Sequence, residues 1–159
     1  MTHVPRPDPS GIPEWGDKPL VLLVDDELAV LSALRRQLRD EPYGVFTAAS
    51  AAQALALLRG GRVQVVVSDE LMPGTNGSEL LAEVRDRWPW TGRVILTGYP
   101  GEDVMIRGLE AGVDFVLPKP WDIDTLKTTL RRLIALVEQS HPQSPADSGA
   151  DVGVEEANP

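Results

Sequence analysis

The 159-residue chain contains no cysteine. That excludes a disulfide framework and a thiolate metal site, and it fits a reducing compartment. No apolar run approaches the roughly 20 residues of a membrane span. The opening stretch, MTHVPRPDPSGIPEWGDKP, also lacks the apolar stretch of a signal peptide. The expectation is a cytoplasmic protein with no membrane association. Basic residues are in deficit: 15 Lys and Arg stand against 24 Asp and Glu, for a net charge of −9. Such a surface repels a phosphate backbone, so direct nucleic-acid binding is not expected. The sequence shows no internal repeat.

The two ends differ from the middle. Residues 1–19 carry five prolines and little apolar surface, and read as a flexible N-terminal arm. Residues 140–159, SHPQSPADSGADVGVEEANP, hold four acids and no Lys or Arg, and read as a disordered acidic tail. The ends account for −1 and −4 of the charge, leaving −4 for residues 20–139. With 42% hydrophobic residues, that middle segment can build one core.

Hydrophobic patterning divides residues 20–139 into alternating elements. LVLLV at 20–24 is a continuous apolar run, as expected of a strand covered on both faces. Leu31, Leu34 and Leu38 follow at helical spacing. VFTAA at 45–49 predicts a second strand, and Leu55 and Leu58 lie on an alanine-rich helix that stops at Gly60 and Gly61. VQVVV at 63–67 predicts the third strand. Leu80, Leu81, Val84 and Trp88 form the next helical face, ended by Pro89. RVILT at 93–97, a short helix over 102–111 and FVL at 115–117 come next. Ile123, Leu126, Leu130, Leu133 and Val137 make a last amphipathic helix. Five βα units at this spacing predict an α/β fold: a five-stranded parallel sheet in a doubly wound, flavodoxin-like (βα)5 sandwich.

Ligands of open parallel sheets bind beyond the carboxyl ends of the strands. The first strand ends at Asp25 and Asp26, the third at Asp69, the fourth at Thr97, and the fifth runs on to Lys119. Core packing requires none of these. Alone, Asp25 or Asp26 reads as a helix cap, Asp69 as a turn former beside Pro73 and Gly74, and Lys119 as a surface lysine. Their convergence on one edge favours a site instead. Two like charges about 4 Å apart cost roughly 4 kcal/mol at an effective dielectric of 20. A hard divalent cation offsets that cost, and oxygen donors select Mg²⁺, Mn²⁺ or Ca²⁺. With Lys119, such a site takes a phosphoryl group. Thr97 offers a hydroxyl donor, and Gly98 leaves room. An Asp carboxylate can itself be the nucleophile.

The pieces LLVDDE, VVVSDELMPGTNG, VILTG and VLPKPW resemble, in order and spacing, the receiver domain of two-component response regulators. The resemblance covers residues 20–139. It implies that Asp69 is the phosphoacceptor and that Asp26 and Asp69 ligate Mg²⁺ directly, with the backbone carbonyl of Leu71. It implies that Asp25 acts through a metal-bound water, and that Thr97 and Lys119 bind phosphoryl oxygens. It also implies a cis bond between Lys119 and Pro120. The implied donor is a histidine kinase or a histidine phosphotransfer protein. The implied output is a downstream protein target, or a homodimer, through residues 102–138.

One position departs from the pattern. Receivers often carry Tyr or Phe three residues before the lysine, and here that residue is Val116. Phe115 lies one residue earlier and faces the other side of a strand. The expectation is a shallower switch between Thr97 and the surface formed by the last two helices and the fifth strand. Rival readings fit less well. A nucleotide hydrolase needs a G-x-x-x-x-G-K-[ST] loop, and none occurs. A phosphatase of the haloacid dehalogenase type wants D-x-D, but Leu71 stands two positions after Asp69 and Glu27 two after Asp25. A receiver fold used as a constitutive interaction module remains as the alternative. Only 20 residues follow position 139, too few for a DNA-binding output domain within this chain. Trp88, Trp90 and Trp121 read as packing residues. Arg35, Arg36, Arg131 and Arg132 read as solvated helix faces, and His3 and His141 are assigned no role.

Overall fold

The apolar run at 20–24 forms an interior strand of the sheet in the computed structural model, which describes residues 18–98 and 101–140. Five strands alternate with five helices: β1 (Leu20–Val24), α1 (Leu28–Gln37), β2 (Gly44–Ala48), α2 (Ala51–Gly60), β3 (Val65–Ser68), α3 (Gly77–Arg87), β4 (Gly92–Thr97), α4 (Glu102–Glu110), β5 (Phe115–Pro118) and α5 (Ile123–Ser140). All neighbours pair in parallel, in the order β2-β1-β3-β4-β5. The expected doubly wound sandwich is the observed one. The predicted arm and acidic tail lie, but for Lys18, Pro19 and Ser140, outside the described residues.

Alternation along the strands builds two cores. Leu20, Leu22, Val24, Val66 and Ile95 point to one face, where Leu58, Leu80, Leu81, Val84 and Val104 of α2, α3 and α4 cover them. Val21, Leu23, Val65, Val67, Val94 and Leu96 point to the other, under Leu31 and Leu34 of α1 and Leu126, Leu130 and Leu133 of α5. Burying each such side chain contributes about 1.5–3 kcal/mol. Val116 packs with the first core and Phe115 with the second, as their neighbouring positions on one strand require.

Individual hydrogen bonds, rather than the apolar runs alone, set several element ends. β2 begins one residue before the predicted position because the Gly44 N–H donates to the Pro19 carbonyl (2.8 Å). It ends at Ala48 because the next N–H, on Ala49, donates to the Gln53 side chain (2.6 Å). The predicted third strand includes Val63 and Gln64, but β3 starts at Val65. Gln64 is fully buried, and its side-chain oxygen accepts the Leu20 N–H at 2.6 Å, standing in for a ladder carbonyl. Helix α3 starts at a capping box: Asn76 accepts the Glu79 N–H (2.9 Å), and the Glu79 carboxylate accepts the Asn76 N–H (3.0 Å).

The tryptophans behave as expected of packing residues. Trp88 and Trp121 lie against the two cores, and the Arg62 guanidinium sits 4.8 Å above the Trp90 ring. Arg131 is exposed, as a solvated-face reading expects, but it also has a partner that reading missed. Its guanidinium donates twice to the buried Glu41 carboxylate, at 2.8 and 2.7 Å, and so ties α5 to the loop before β2. The periodicity of α5 alone could not reveal a partner 90 residues away.

Gly77 is required by close approach. A Cβ there would collide with the backbone carbonyl of Asp69. Gly77→Ala is expected to lower unfolding stability by about 1–3 kcal/mol, the usual cost of overpacking, as read from urea denaturation midpoints.

Candidate functional site

Three of the strands deliver carboxylates or a cation to the same sheet edge while still hydrogen-bonded to their neighbours. The Asp25 N–H donates to the Ala48 carbonyl (3.1 Å), the Asp69 N–H to Val24 (2.9 Å) and the Lys119 N–H to Thr97 (2.8 Å). These bonds fix the backbone of each residue just past the end of its strand. The Lys119–Pro120 peptide is cis.

The side chains converge as the sequence suggested. Carboxylate oxygens of Asp25, Asp26 and Asp69 all lie within 4.8 Å of one another. Asp25 is 3% exposed and Asp69 8%, while Asp26 is open to solvent. The Lys119 ammonium sits between the two buried acids, 2.7 Å from Asp25 Oδ2 and 3.3 Å from Asp69 Oδ1. The other Asp25 oxygen accepts the Glu27 N–H at 2.8 Å, a turn bond just ahead of α1 and not a cap on its first N–H groups. Glu27, the residue before α1, has no side-chain cap bond of its own. Thr97 ends β4 fully buried at the same edge. Beside it, Gly98 leaves space: a Cβ there would come no closer than 4.0 Å, to the Lys119 Cβ. The side chain of Leu71, in the loop after β3, is turned to solvent.

Electrostatics at the cluster are unbalanced. Burial pushes the Asp69 carboxyl above the usual range; Lys119 opposes the shift and the Asp25 charge adds to it. Burial alone would lower the Lys119 pKa, but hydrogen bonds and attraction from Asp25 and Asp69 outweigh it and hold the ammonium above its ordinary value. Three carboxyl groups stand against one ammonium. The donor set fits a hard divalent cation: all oxygen, mutually close, with one carboxylate accessible from solvent.

Sequence reasoning passed over Glu70. Its side chain is fully buried and accepts the Ser78 N–H (2.9 Å), the Ser78 hydroxyl (3.1 Å) and Arg107 Nε (3.0 Å). The available signal was a second acid, two residues past the end of a buried strand and next to Asp69.

Comparison with known proteins agrees with this geometry. The family described as the response regulator receiver domain matches residues 21–131. The hydrogenase transcriptional regulatory protein HoxA of Cupriavidus necator is 44% identical over 115 residues, 72% of this chain and 24% of that protein. The sensor kinase CckA of Brucella abortus is 40% identical over 117 residues, 72% of this chain and 12% of CckA. The chain thus spans a quarter or less of these two relatives. The signal receiver domain of an HD domain-containing protein from Pseudomonas fluorescens Pf-5 superposes with a TM-score of 0.74 at 33% identity, covering 77% of this chain and 98% of that one.

Relief of carboxylate repulsion should be measurable. In EDTA, Asp69→Asn is expected to be more stable than the wild type by roughly 1 kcal/mol, because a buried charge beside Asp25 is removed. Adding Mg²⁺ should narrow the gap by stabilising the wild type. Thermal melts of both proteins with and without Mg²⁺ check this, and a wild type that Mg²⁺ fails to stabilise would contradict it.

Proposed function

The chain belongs to the response regulator receiver domain family, and from that premise we propose that it is a phosphorylation switch in which Asp69 accepts a phosphoryl group. The observation that carries this reading is the placement of Lys119 between Asp25 and Asp69, inside a cluster of three carboxylates. A structural ion pair needs one acid. Here the ammonium faces two buried acids, and a third stands at the solvent side of the cluster, an excess of carboxylate that supports binding of a cation together with an anionic group.

Asp26 and Asp69, with the Leu71 carbonyl, would hold Mg²⁺, and Asp25 would reach it through water. When bound, the ion offsets carboxylate charge and stabilises charge on the transferring phosphoryl oxygens. The division between the two aspartates is supported by their surroundings. Both Asp25 oxygens are engaged, by Lys119 and the Glu27 N–H, whereas Asp26 faces solvent.

The donor is a phosphohistidine on a histidine kinase or phosphotransfer protein. An Asp69 carboxylate oxygen attacks phosphorus as the phosphorus–nitrogen bond breaks. The imidazole leaves with that electron pair and remains on the donor. The product is an acyl phosphate on Asp69. Lys119 and the Thr97 hydroxyl hold phosphoryl oxygens in place. The residues act by positioning and charge stabilisation, which supply most of the help that phosphoryl transfer needs. We read the protein as a cytoplasmic signalling module rather than a dedicated enzyme. Among the described residues no helix is long and apolar enough to cross a membrane. Output runs to a protein target or a second copy through residues 102–138, where Met105, Ile106 and Leu109 of α4 are exposed.

Incubation with acetyl phosphate and Mg²⁺ should add the mass of one phosphoryl group to the wild type and none to Asp69→Asn. No gain on the wild type would favour a constitutive interaction module. Asp26→Asn should weaken Mg²⁺ affinity on the order of tenfold or more, and Asp25→Asn by less. Equal losses by calorimetric titration would overturn the division of roles.

A further inference from the structure

Glu70 sits one residue from Asp69 with its carboxylate fully buried. A charge taken out of water persists only when its oxygens are hydrogen-bonded, and here every partner is informative. Two bonds go to Ser78, in the first turn of α3, and the Glu70 carbonyl accepts the Gly77 N–H at 2.9 Å. Gly77 in turn lies against the Asp69 carbonyl. Asp69, Glu70 and the start of α3 therefore move as one piece. The remaining carboxylate bond leaves that piece, 3.0 Å to Arg107 Nε on α4.

Helix α4 has little else to hold it. Only Val104 and Gly108 of its nine residues are buried, and Leu109 is 78% exposed. Among the described residues, its other side-chain tie runs from Arg85 Nη1 to the Glu110 carbonyl, at 2.7 Å, and starts on the last turn of α3, at the opposite end of that helix from Ser78. The aromatic that would report on Thr97 is absent. Val116 faces Gly108, where a built Cβ would meet its methyl at 3.4 Å.

We propose that the Glu70–Arg107 ion pair is the linkage through which the phosphorylation state of Asp69 sets the position of α4; this rests on the receiver reading above. Without a phosphoryl group the pair clamps α4 to the loop after β3. A phosphoryl group on Asp69 requires residues 69–71 to shift around it, and that shift carries the Glu70 carboxylate away from Arg107. Arg107, with side-chain exposure of 42%, can leave for solvent, and both Glu70 oxygens then keep a hydrogen bond, one from the Ser78 N–H and one from the Ser78 hydroxyl. The clamp then loosens and α4 is released. Glu70 and Arg107 act as positioning residues and do not touch the phosphoryl group.

The test is hydrogen exchange of residues 102–110 in the full chain, with and without beryllofluoride and Mg²⁺. In the wild type, beryllofluoride should raise exchange in α4. Arg107→Gln should show raised exchange beforehand, and its further response should shrink by about fivefold or more, the low end of ordinary coupling between sites. It should still gain one phosphoryl group from acetyl phosphate. Arg107→Lys, which keeps a cation, should restore part of the response. Arg85→Gln removes the other tie and should loosen α4 while keeping the full response, which separates coupling from mere support. Glu70→Gln should match Arg107→Gln; if it does not fold, the Arg107 variants decide alone. A full wild-type-like response in Arg107→Gln, or the same loss in Arg85→Gln, overturns the proposal. If the wild type neither gains mass nor responds to beryllofluoride, the receiver reading fails and this inference with it.

Discussion

Two buried carboxylates and one ammonium at the end of a parallel sheet govern much of this molecule. Lys119 can reach Asp25 and Asp69 together only because β5 and β1 are separated by β3 and β4, with every strand pointing the same way. Parallel pairing demands helical crossovers, and helices on both faces demand strands that are apolar on both sides. The LVLLV and VVV runs follow from that demand. The polarity of the edge is the counterpart of the apolarity of the sheet: where the strands stop, the chain turns abruptly from Val and Leu to Asp.

That abruptness made most of the architecture legible. A strand buried on both faces reads as an unbroken apolar run, and β1 was found with its observed ends. The helices α1, α3 and α5 declared themselves by leucines at helical spacing. Convergence of Asp25, Asp26, Asp69 and Lys119 followed from topology alone, since each closes a strand of known direction. Val116 and Phe115 fell on opposite faces because strand periodicity leaves no other choice.

What escaped was chemistry between residues distant in sequence. Gln64 reads as part of a strand, yet its side chain replaces a ladder carbonyl for Leu20. Gln53 reads as a helix residue, yet it takes the N–H that would have lengthened β2. Arg131 reads as a solvated residue, yet Glu41 holds it by both oxygens. Glu70 was hidden by the more conspicuous Asp69 beside it. In each case a polar side chain satisfies a buried group, and hydrophobic periodicity carries no record of such pairings.

The fork between Arg131 and Glu41 has a mechanical consequence. It joins α5 to the loop before β2, and Trp121 Nε1 donates to the Gln37 side chain at 2.7 Å, joining the approach to α5 with the end of α1. One flank of the sheet is thereby cross-braced at two points, whereas α4 on the other flank hangs from a few contacts. The protein resembles a motor housing, with a stator bolted along α1 and α5 and a rotor left on bearings. Under the proposed phosphorylation, a displacement at the acidic edge would meet less resistance on the α4 side, so the bracing on one flank would give direction to movement on the other.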